Sequence, residues 1–178
     1  MTMKHKVFVT YHHALDQNYR EKFERICGPG IVSRSVDIGE YDPNLNTEYI
    51  RQLIRDEHLA DSTVTVVLVG AKTWQRKHVD WEISSSIRDT KNSARSGLIG
   101  ILLPTYSFPE PRKYSPYTIP PRLHDNIKCG FADIYLWSNN FDEIEEWIHD
   151  AFLKRDKNQP SNSRPLFGKN HTGDRWSN

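Results

Sequence analysis

The sequence predicts an α/β domain in which strands and helices alternate around a single parallel sheet. Two apolar runs, residues 62–70 and 97–103, are almost uninterrupted by polar side chains, which is typical of strands buried on both faces of a parallel sheet. Segments with helical spacing of apolar residues separate the strands, and this alternation implies right-handed crossovers with helices on both faces. Five strands in a chain of 178 residues fit a doubly wound, flavodoxin-like sheet with the strand order 2-1-3-4-5.

The first half of the chain contains three strands, each followed by a helix. In the third helix, Val79, Ile83 and Ile87 recur at the spacing of one helical face, which predicts the side that packs on the sheet. Glycines 28 and 30 and the proline between them end the first helix. We predict the strands at residues 6–11, 31–36 and 62–70 and the helices at residues 16–26, 47–58 and 73–90.

The second half continues the alternation less regularly. Strands are predicted at residues 97–103 and 131–137, and a last amphipathic helix at residues 141–152. A segment rich in proline and tyrosine, residues 105–121, takes the place of a fourth crossover helix, and residues 123–128 supply only a short one.

The end of the chain differs from the rest in composition and charge, so we expect a domain at residues 1–153 and a tail at residues 154–178. The tail is rich in Asn, Ser, Pro and Gly and carries six basic and two acidic residues, a net charge of +4. Such a composition has little to bury and predicts disorder. The preceding 153 residues carry 18 basic and 21 acidic side chains, which argues against a general nucleic-acid-binding protein.

Other classes of protein are also disfavoured by the sequence. No apolar run approaches the roughly 20 residues that cross a bilayer, and the N-terminus has no leader pattern. We therefore expect a cytoplasmic protein that does not associate with membranes. Cys27 and Cys129 lie far apart without a CxxC partner, which predicts neither a disulfide framework nor a zinc site.

A ligand site is expected beyond the carboxyl ends of the strands. In an open parallel sheet, ligands bind where the strand order reverses, which here lies between the first and third strands. The first strand ends in Thr10, Tyr11, His12 and His13, and the second ends at Asp37. An acid at the position of Asp37 either caps a turn or binds a ribose hydroxyl.

The third helix contributes a carboxylate at the same place. Trp74, His78 and Glu82 are spaced by four residues and form one stripe, with Trp81 beside Glu82. A carboxylate between Trp81 and the apolar stripe is partly desolvated, which raises its pKa and suits it to catalysis. On pattern alone, a solvated Glu82 that pairs with His78 or Arg76 is the more common arrangement, and both readings stay open.

Metal and common nucleotide motifs are missing from the sequence. His12 and His13 are adjacent, so on a strand they point to opposite faces, and no carboxylate or cysteine stands at ligand spacing. We therefore expect no metal. Neither GxGxxG nor GxxxxGK[ST] occurs, which disfavours an ordinary dinucleotide fold and a P-loop.

Two segments carry a resemblance to a known family. The apolar run Val7-Phe8-Val9-Thr10-Tyr11 resembles the opening strand of Toll/interleukin-receptor (TIR) domains. The segment from Lys72 to Ile83, with its Val-Asp-Trp-Glu-Ile sequence, resembles the third-helix motif of the bacterial TIR-like branch, notably the ThsB proteins of the Thoeris antiphage system. The resemblance covers about residues 4 to 153.

The resemblance implies an enzyme that cleaves NAD at the nicotinamide–ribose bond with Glu82 as its catalytic residue. NAD is then consumed as the substrate and no cofactor is needed. His78 stands where many catalytic TIR domains have tryptophan, so Trp74 or Trp81 would supply the aromatic surface. The residues expected to line the NAD site are Thr10, Tyr11, His12, Asp37, His78 and Trp81.

The resemblance further implies a signalling role in antiphage defence. The enzyme would stay silent until a phage-derived trigger acts, would assemble with further copies, and would release a cyclic ADP-ribose isomer or ADP-ribose. A separate effector protein would read the cyclic product.

A second hypothesis is a non-catalytic TIR-like interaction module. His78 in place of tryptophan, the long loop at residues 105–121 and the lack of a fused effector domain fit this hypothesis. A flavodoxin or response-regulator relative is a weaker alternative, since the chain lacks a phosphate-binding loop after the first strand and an acidic cluster for Mg²⁺.

Overall fold

The computed structural model describes residues 4–28, 31–34, 46–59, 61–91 and 93–177. Five parallel strands in these segments form one sheet in the order β2-β1-β3-β4-β5. The strands are β1 (His5–Thr10), β2 (Ile31–Arg34), β3 (Val64–Val69), β4 (Gly97–Leu102) and β5 (Ala132–Leu136). Together with the helices, this gives an α/β architecture that is consistent with a flavodoxin-like fold.

Helices connect the strands and cover the sheet. The α-helices are α1 (His13–Cys27), α2 (Thr47–Leu53), α3 (Lys77–Ser86), α4 (Pro121–Lys128) and α5 (Phe141–Lys154). A π-helical turn, Ile54–His58, continues α2, and 3-10 turns occupy Thr73–Gln75 and Pro116–Thr118. Among the described residues, no helix is long and apolar enough to cross a lipid bilayer.

The hydrophobic core lies on both faces of the sheet. β3 and β4 are buried along their whole length, as expected from their uninterrupted apolar runs, and they pair in register from Val64 opposite Gly97 to Val69 opposite Leu102. The fully buried residues on the face of α1 and α5 include Val9, Val66, Phe23 and Ile148. Those on the face of α3 and α4 include Val67, Val69, Ile83 and Leu123.

The single helix predicted over residues 73–90 is divided in two. Arg76 is extended, with φ −88° and ψ 121°, between the 3-10 turn and α3. The Thr73 hydroxyl accepts a hydrogen bond from the Gly70 backbone N–H at 2.8 Å, and such local bonds favour a turn over a continuous helix. The predicted stripe is therefore shortened, because buried Trp74 lies in the turn and only His78 and Glu82 share α3.

The tail that was expected to be disordered lies instead on the surface of the domain. Residues 158–177, which we call the strap, follow α5 and contact α3 and α4. Two aromatic side chains anchor the strap, since Phe167 and Trp176 are only 7% and 5% exposed. Arg164 also donates two hydrogen bonds to the Asp125 carboxylate, at 2.6 and 2.9 Å. Because a buried aromatic ring contributes a large apolar area, the burial of these two rings stabilises the ordered strap although its average composition is polar.

A close approach between β4 and α5 requires a glycine at the start of β4. A Cβ atom at Gly97 would lie 2.7 Å from the carbonyl carbon of Ala151 in the backbone of α5. We expect Gly97→Ala to lower the free energy of unfolding by about 2–3 kcal/mol, since overpacking moves backbone that cannot relax cheaply. Urea titration measures this change. Gly168→Ala is the control, because a Cβ there would meet nothing within 4 Å, and equal effects of the two substitutions would contradict the packing argument.

Candidate functional site

The end of β1 lies beside α3 at the carboxyl edge of the sheet. Phe8 packs in one cluster with Trp81 of α3, and since alternate residues of a strand share a face, Thr10 also projects toward the side of α3. Thr10 is fully buried, and its hydroxyl has no hydrogen-bond partner within the described segments. A buried hydroxyl in this state is a candidate to bind a polar ligand group.

His78 fixes the first turn of α3 against the end of β1. Its Nε2 atom lies 3.0 Å from the backbone carbonyl oxygen of Tyr11. Burial lowers the pKa of the His78 imidazole from 6.5 to about 4, so the ring is neutral at pH 7. Because a carbonyl only accepts hydrogen bonds, Nε2 carries the proton and donates it to Tyr11.

Glu82 follows His78 by one helical turn and therefore lies on the same face of α3. Its side chain is 1% exposed. The structure thus places a carboxylate in a nearly dry environment on the side of the sheet that Thr10 also faces. The desolvated arrangement expected from Trp81 and the apolar stripe is observed, and the alternative of a solvated Glu82 on a helix surface is wrong.

Three aromatic rings lie in a row beside the carboxyl end of β1. The ring centroids of Tyr11 and His13 are 4.5 Å apart, and those of His13 and His78 are 4.7 Å apart. His12 precedes α1 and has a different role. Its Nδ1 atom caps α1 by accepting the Leu15 backbone N–H at 3.2 Å.

Trp81 lies in the core beside the site. Its indole is 5% exposed and packs with Phe8, Ile54 and Leu59. The indole N–H donates to the Phe167 carbonyl of the strap at 2.8 Å, and the Lys77 ammonium lies 4.7 Å from the ring centroid. The strap therefore occupies the polar edge of this ring, and Lys77 lies over its face.

Asp16 is a second buried carboxylate at this edge, and the sequence reasoning missed it. It is 1% exposed, and the Thr105 hydroxyl donates to its Oδ1 atom at 2.8 Å. A Cβ at Gly70 would lie 2.7 Å from the Asp16 carboxyl carbon, so the acid covers the ends of β3 and β4. Burial raises the pKa of Asp16. A glycine directly after the apolar run of β3 is the signal that could have revealed this close approach.

Comparison with known protein families shows the family to which the chain belongs. Residues 8–107 match the family model of the Thoeris protein ThsB, TIR-like domain. The chain belongs to this family. The matched residues of this TIR-like domain run from β1 to just beyond β4 and include the end of β1, Asp16 and α3 with His78 and Glu82. No curated protein matches the chain significantly.

Two further predictions for the TIR-like site are that Asp37 binds a ribose hydroxyl and that no metal is bound. Asp37 lies outside the described residues, so its role as a ribose ligand stays a prediction. Within the described part of the chain, no three His, Cys, Asp or Glu side chains are grouped as metal ligands. The structure thus brings Tyr11, His13 and His78 into contact, with Thr10 directly before Tyr11 at the end of β1 and Glu82 one helical turn after His78 in α3.

The low pKa of His78 makes the stability of the domain depend on pH. Between pH 6.5 and about 4 the unfolded chain binds a proton at His78 and the folded protein does not, so lowering the pH through this window destabilises the fold. The loss is on the order of 3 kcal/mol and is complete below about pH 4. We expect His78→Gln, which keeps an N–H donor for Tyr11, to show a flatter dependence in urea titrations from pH 7 to pH 4. Identical profiles for the two proteins would contradict the assigned protonation.

Proposed function

We propose that this TIR-like domain is an NAD-cleaving enzyme of antiphage defence that acts in the cytoplasm, with Glu82 as its catalytic residue. The observation that carries the proposal is the position of Glu82. Its carboxylate is 1% exposed and lies on the α3 face that contacts the end of β1, where doubly wound sheets bind ligands.

The chemistry suits a single carboxylate. Cleavage of the bond between nicotinamide and ribose proceeds through an oxocarbenium-like state, as in glycoside hydrolysis. Nicotinamide carries a positive charge in NAD and leaves as a neutral molecule with the bonding electron pair, so it needs no proton. The positive charge then develops on the ribose, where a carboxylate in a dry, preorganised site stabilises it more strongly than water would.

The residues around Glu82 are suited to holding the substrate. The buried Thr10 hydroxyl is available for a ribose hydroxyl, and we propose that the row of Tyr11, His13 and His78 binds the nicotinamide or adenine once the site opens. His78 is neutral at pH 7 and therefore does not repel the cationic nicotinamide ring. We propose that His12, Asp37 and Trp81 also contribute to binding NAD.

The fate of the ribose cation decides the product. Capture by water gives ADP-ribose, and capture by another nucleophilic atom of the same molecule gives a cyclic isomer. A site that excludes water favours the second route. We infer that the cyclic product leaves as a signal for a separate effector protein.

The burial of Glu82 also supports a resting state without activity. A side chain that is 1% exposed admits substrate only after neighbouring elements move. We propose that a phage-derived trigger, acting with self-assembly of the domain, opens the site.

The test is Glu82→Gln, which keeps the shape of the side chain and removes its charge. Lysate from phage-infected cells supplies the trigger, and nicotinamide release from added NAD is measured. We expect the rate to fall by about 100-fold or more, since electrostatic stabilisation of the transition state is lost. Glu110→Gln, at an exposed residue that pairs with Lys113, is the matched control and should keep the wild-type rate.

Wild-type nicotinamide release by Glu82→Gln would refute the assigned role of this residue. An NAD level that infection leaves unchanged, together with capture of a specific partner protein, would favour the non-catalytic interaction module instead.

A further inference from the structure

The helix that carries Glu82 receives no side-chain cap from the residue that precedes it. α3 has ten residues, and isolated helices of this length are marginal in water. Arg76 precedes the helix and provides no side-chain cap. The first backbone N–H groups and the last carbonyl groups of a helix need partners. At the C-terminal end, the Ser86 hydroxyl donates to the Ile83 carbonyl at 2.9 Å and the Ser96 N–H donates to the Ser86 carbonyl at 2.8 Å, and other groups remain for more distant partners.

Two asparagines of the strap supply one further partner at each end of α3. The Asn170 Oδ1 atom accepts the backbone N–H of Lys77, the first residue of the helix, at 2.9 Å. The Asn162 side-chain amide donates to the backbone carbonyl of Ser84, in the last turn, at 3.0 Å. The strap therefore runs antiparallel to the helix and caps both of its ends.

Between the two asparagines, Phe167 fastens the strap to the middle of α3. Its backbone N–H donates to the Asp80 carboxylate at 2.9 Å, and its carbonyl accepts the Trp81 indole N–H at 2.8 Å. Its ring is buried in the cluster of Phe8 and Trp81. These contacts immediately precede Glu82 along the helix.

The strap also forms hydrogen bonds with α4, so the strap cannot move with α3 unless these bonds break. Arg122 of α4 donates to the Asn162 Oδ1 atom at 2.9 Å and to the Pro165 carbonyl at 3.2 Å. Arg122 itself is fully buried in an ion pair with Asp80. The asparagine at the C-terminal end of α3 thus connects this helix to a second, fixed element.

We propose that the strap holds the catalytic helix in position, with Asn170 and Asn162 as positioning residues for Glu82. This inference rests on the NAD-cleaving function proposed above. A carboxylate that stabilises a developing charge must keep its place closely, because small displacements of catalytic groups lower rates severely. The strap lies outside residues 8–107 that match the family model, so the helix of the TIR-like domain depends on a segment beyond that match.

The cap at the N-terminal end of α3 needs a hydrogen-bond acceptor, and the cap at the C-terminal end needs a donor. Substitutions in the full chain can therefore test each cap separately. Asn170 acts through an oxygen acceptor, so Asn170→Asp keeps the cap and adds a charge that helix N-termini favour, whereas Asn170→Ala removes it. Asn162 acts toward Ser84 through its N–H donor, so Asn162→Asp loses that bond. Asn158→Ala is the matched control, since the Asn158 amide donates to the Gly130 carbonyl, in the turn after α4, at 2.6 Å and not to a residue of α3.

We expect Asn170→Ala and Asn162→Asp to lower kcat for NAD cleavage about fivefold, the size of one lost cap, with KM within twofold of the wild type. Amide hydrogen exchange should accelerate about fivefold in the terminal turn of α3 that each variant uncaps. Asn170→Asp and Asn158→Ala should match the wild-type chain in both measurements on α3.

Faster exchange in α3 with an unchanged kcat would overturn the positioning role and leave the strap a structural element. An Asn170→Asp variant that behaves like Asn170→Ala would overturn the assignment of the oxygen as the cap. A wild-type chain that cleaves no NAD in triggered lysate would overturn the proposed function itself, and the exchange data, which need no substrate, would separate that outcome from a failure of the caps.

Discussion

The buried ion pair between Asp80 and Arg122 determines how α3, α4 and the strap fit together. The arginine is 0% and the aspartate 2% exposed, with N–O distances of 2.9 and 3.3 Å. Charges removed from water in this way need further hydrogen bonds to offset desolvation, and Phe167, Asn162 and Pro165 of the strap provide them. Loss of either charged side chain would leave the other buried without a partner. The packing of α3, α4 and the strap therefore depends on the same ion pair.

This constraint has a direct consequence for the candidate site. Asp80 lies between His78, which binds the end of β1, and Glu82. A helix held by the ion pair on one side and by the Tyr11 carbonyl on the other has little freedom to rotate or slide. The position of Glu82 is therefore fixed by polar contacts that reach across the fold rather than by the helix itself.

Local sequence patterns were sufficient for the sheet and for the face of α3. The continuous apolar runs of β3 and β4 require burial on both sides, and the spacing of His78 and Glu82 places them together on any helix. The break at Arg76 and the ordered strap were not predictable in this way. They depend on Thr73, Asn170 and Phe167, whose partners lie close in space but are not encoded by periodicity or average composition. The burial of Asp16 against Gly70 is a contact of the same kind.

We propose that infection leads this domain to consume NAD through Glu82. Mass spectrometry of nucleotides from phage-infected cells tests it most directly, in cells that carry either the wild-type chain or Glu82→Gln. We expect NAD to fall, and a product of ADP-ribose composition, cyclic or hydrolysed, to accumulate, only with the wild-type chain. The same NAD level and the same nucleotide profile in both kinds of cell would contradict it.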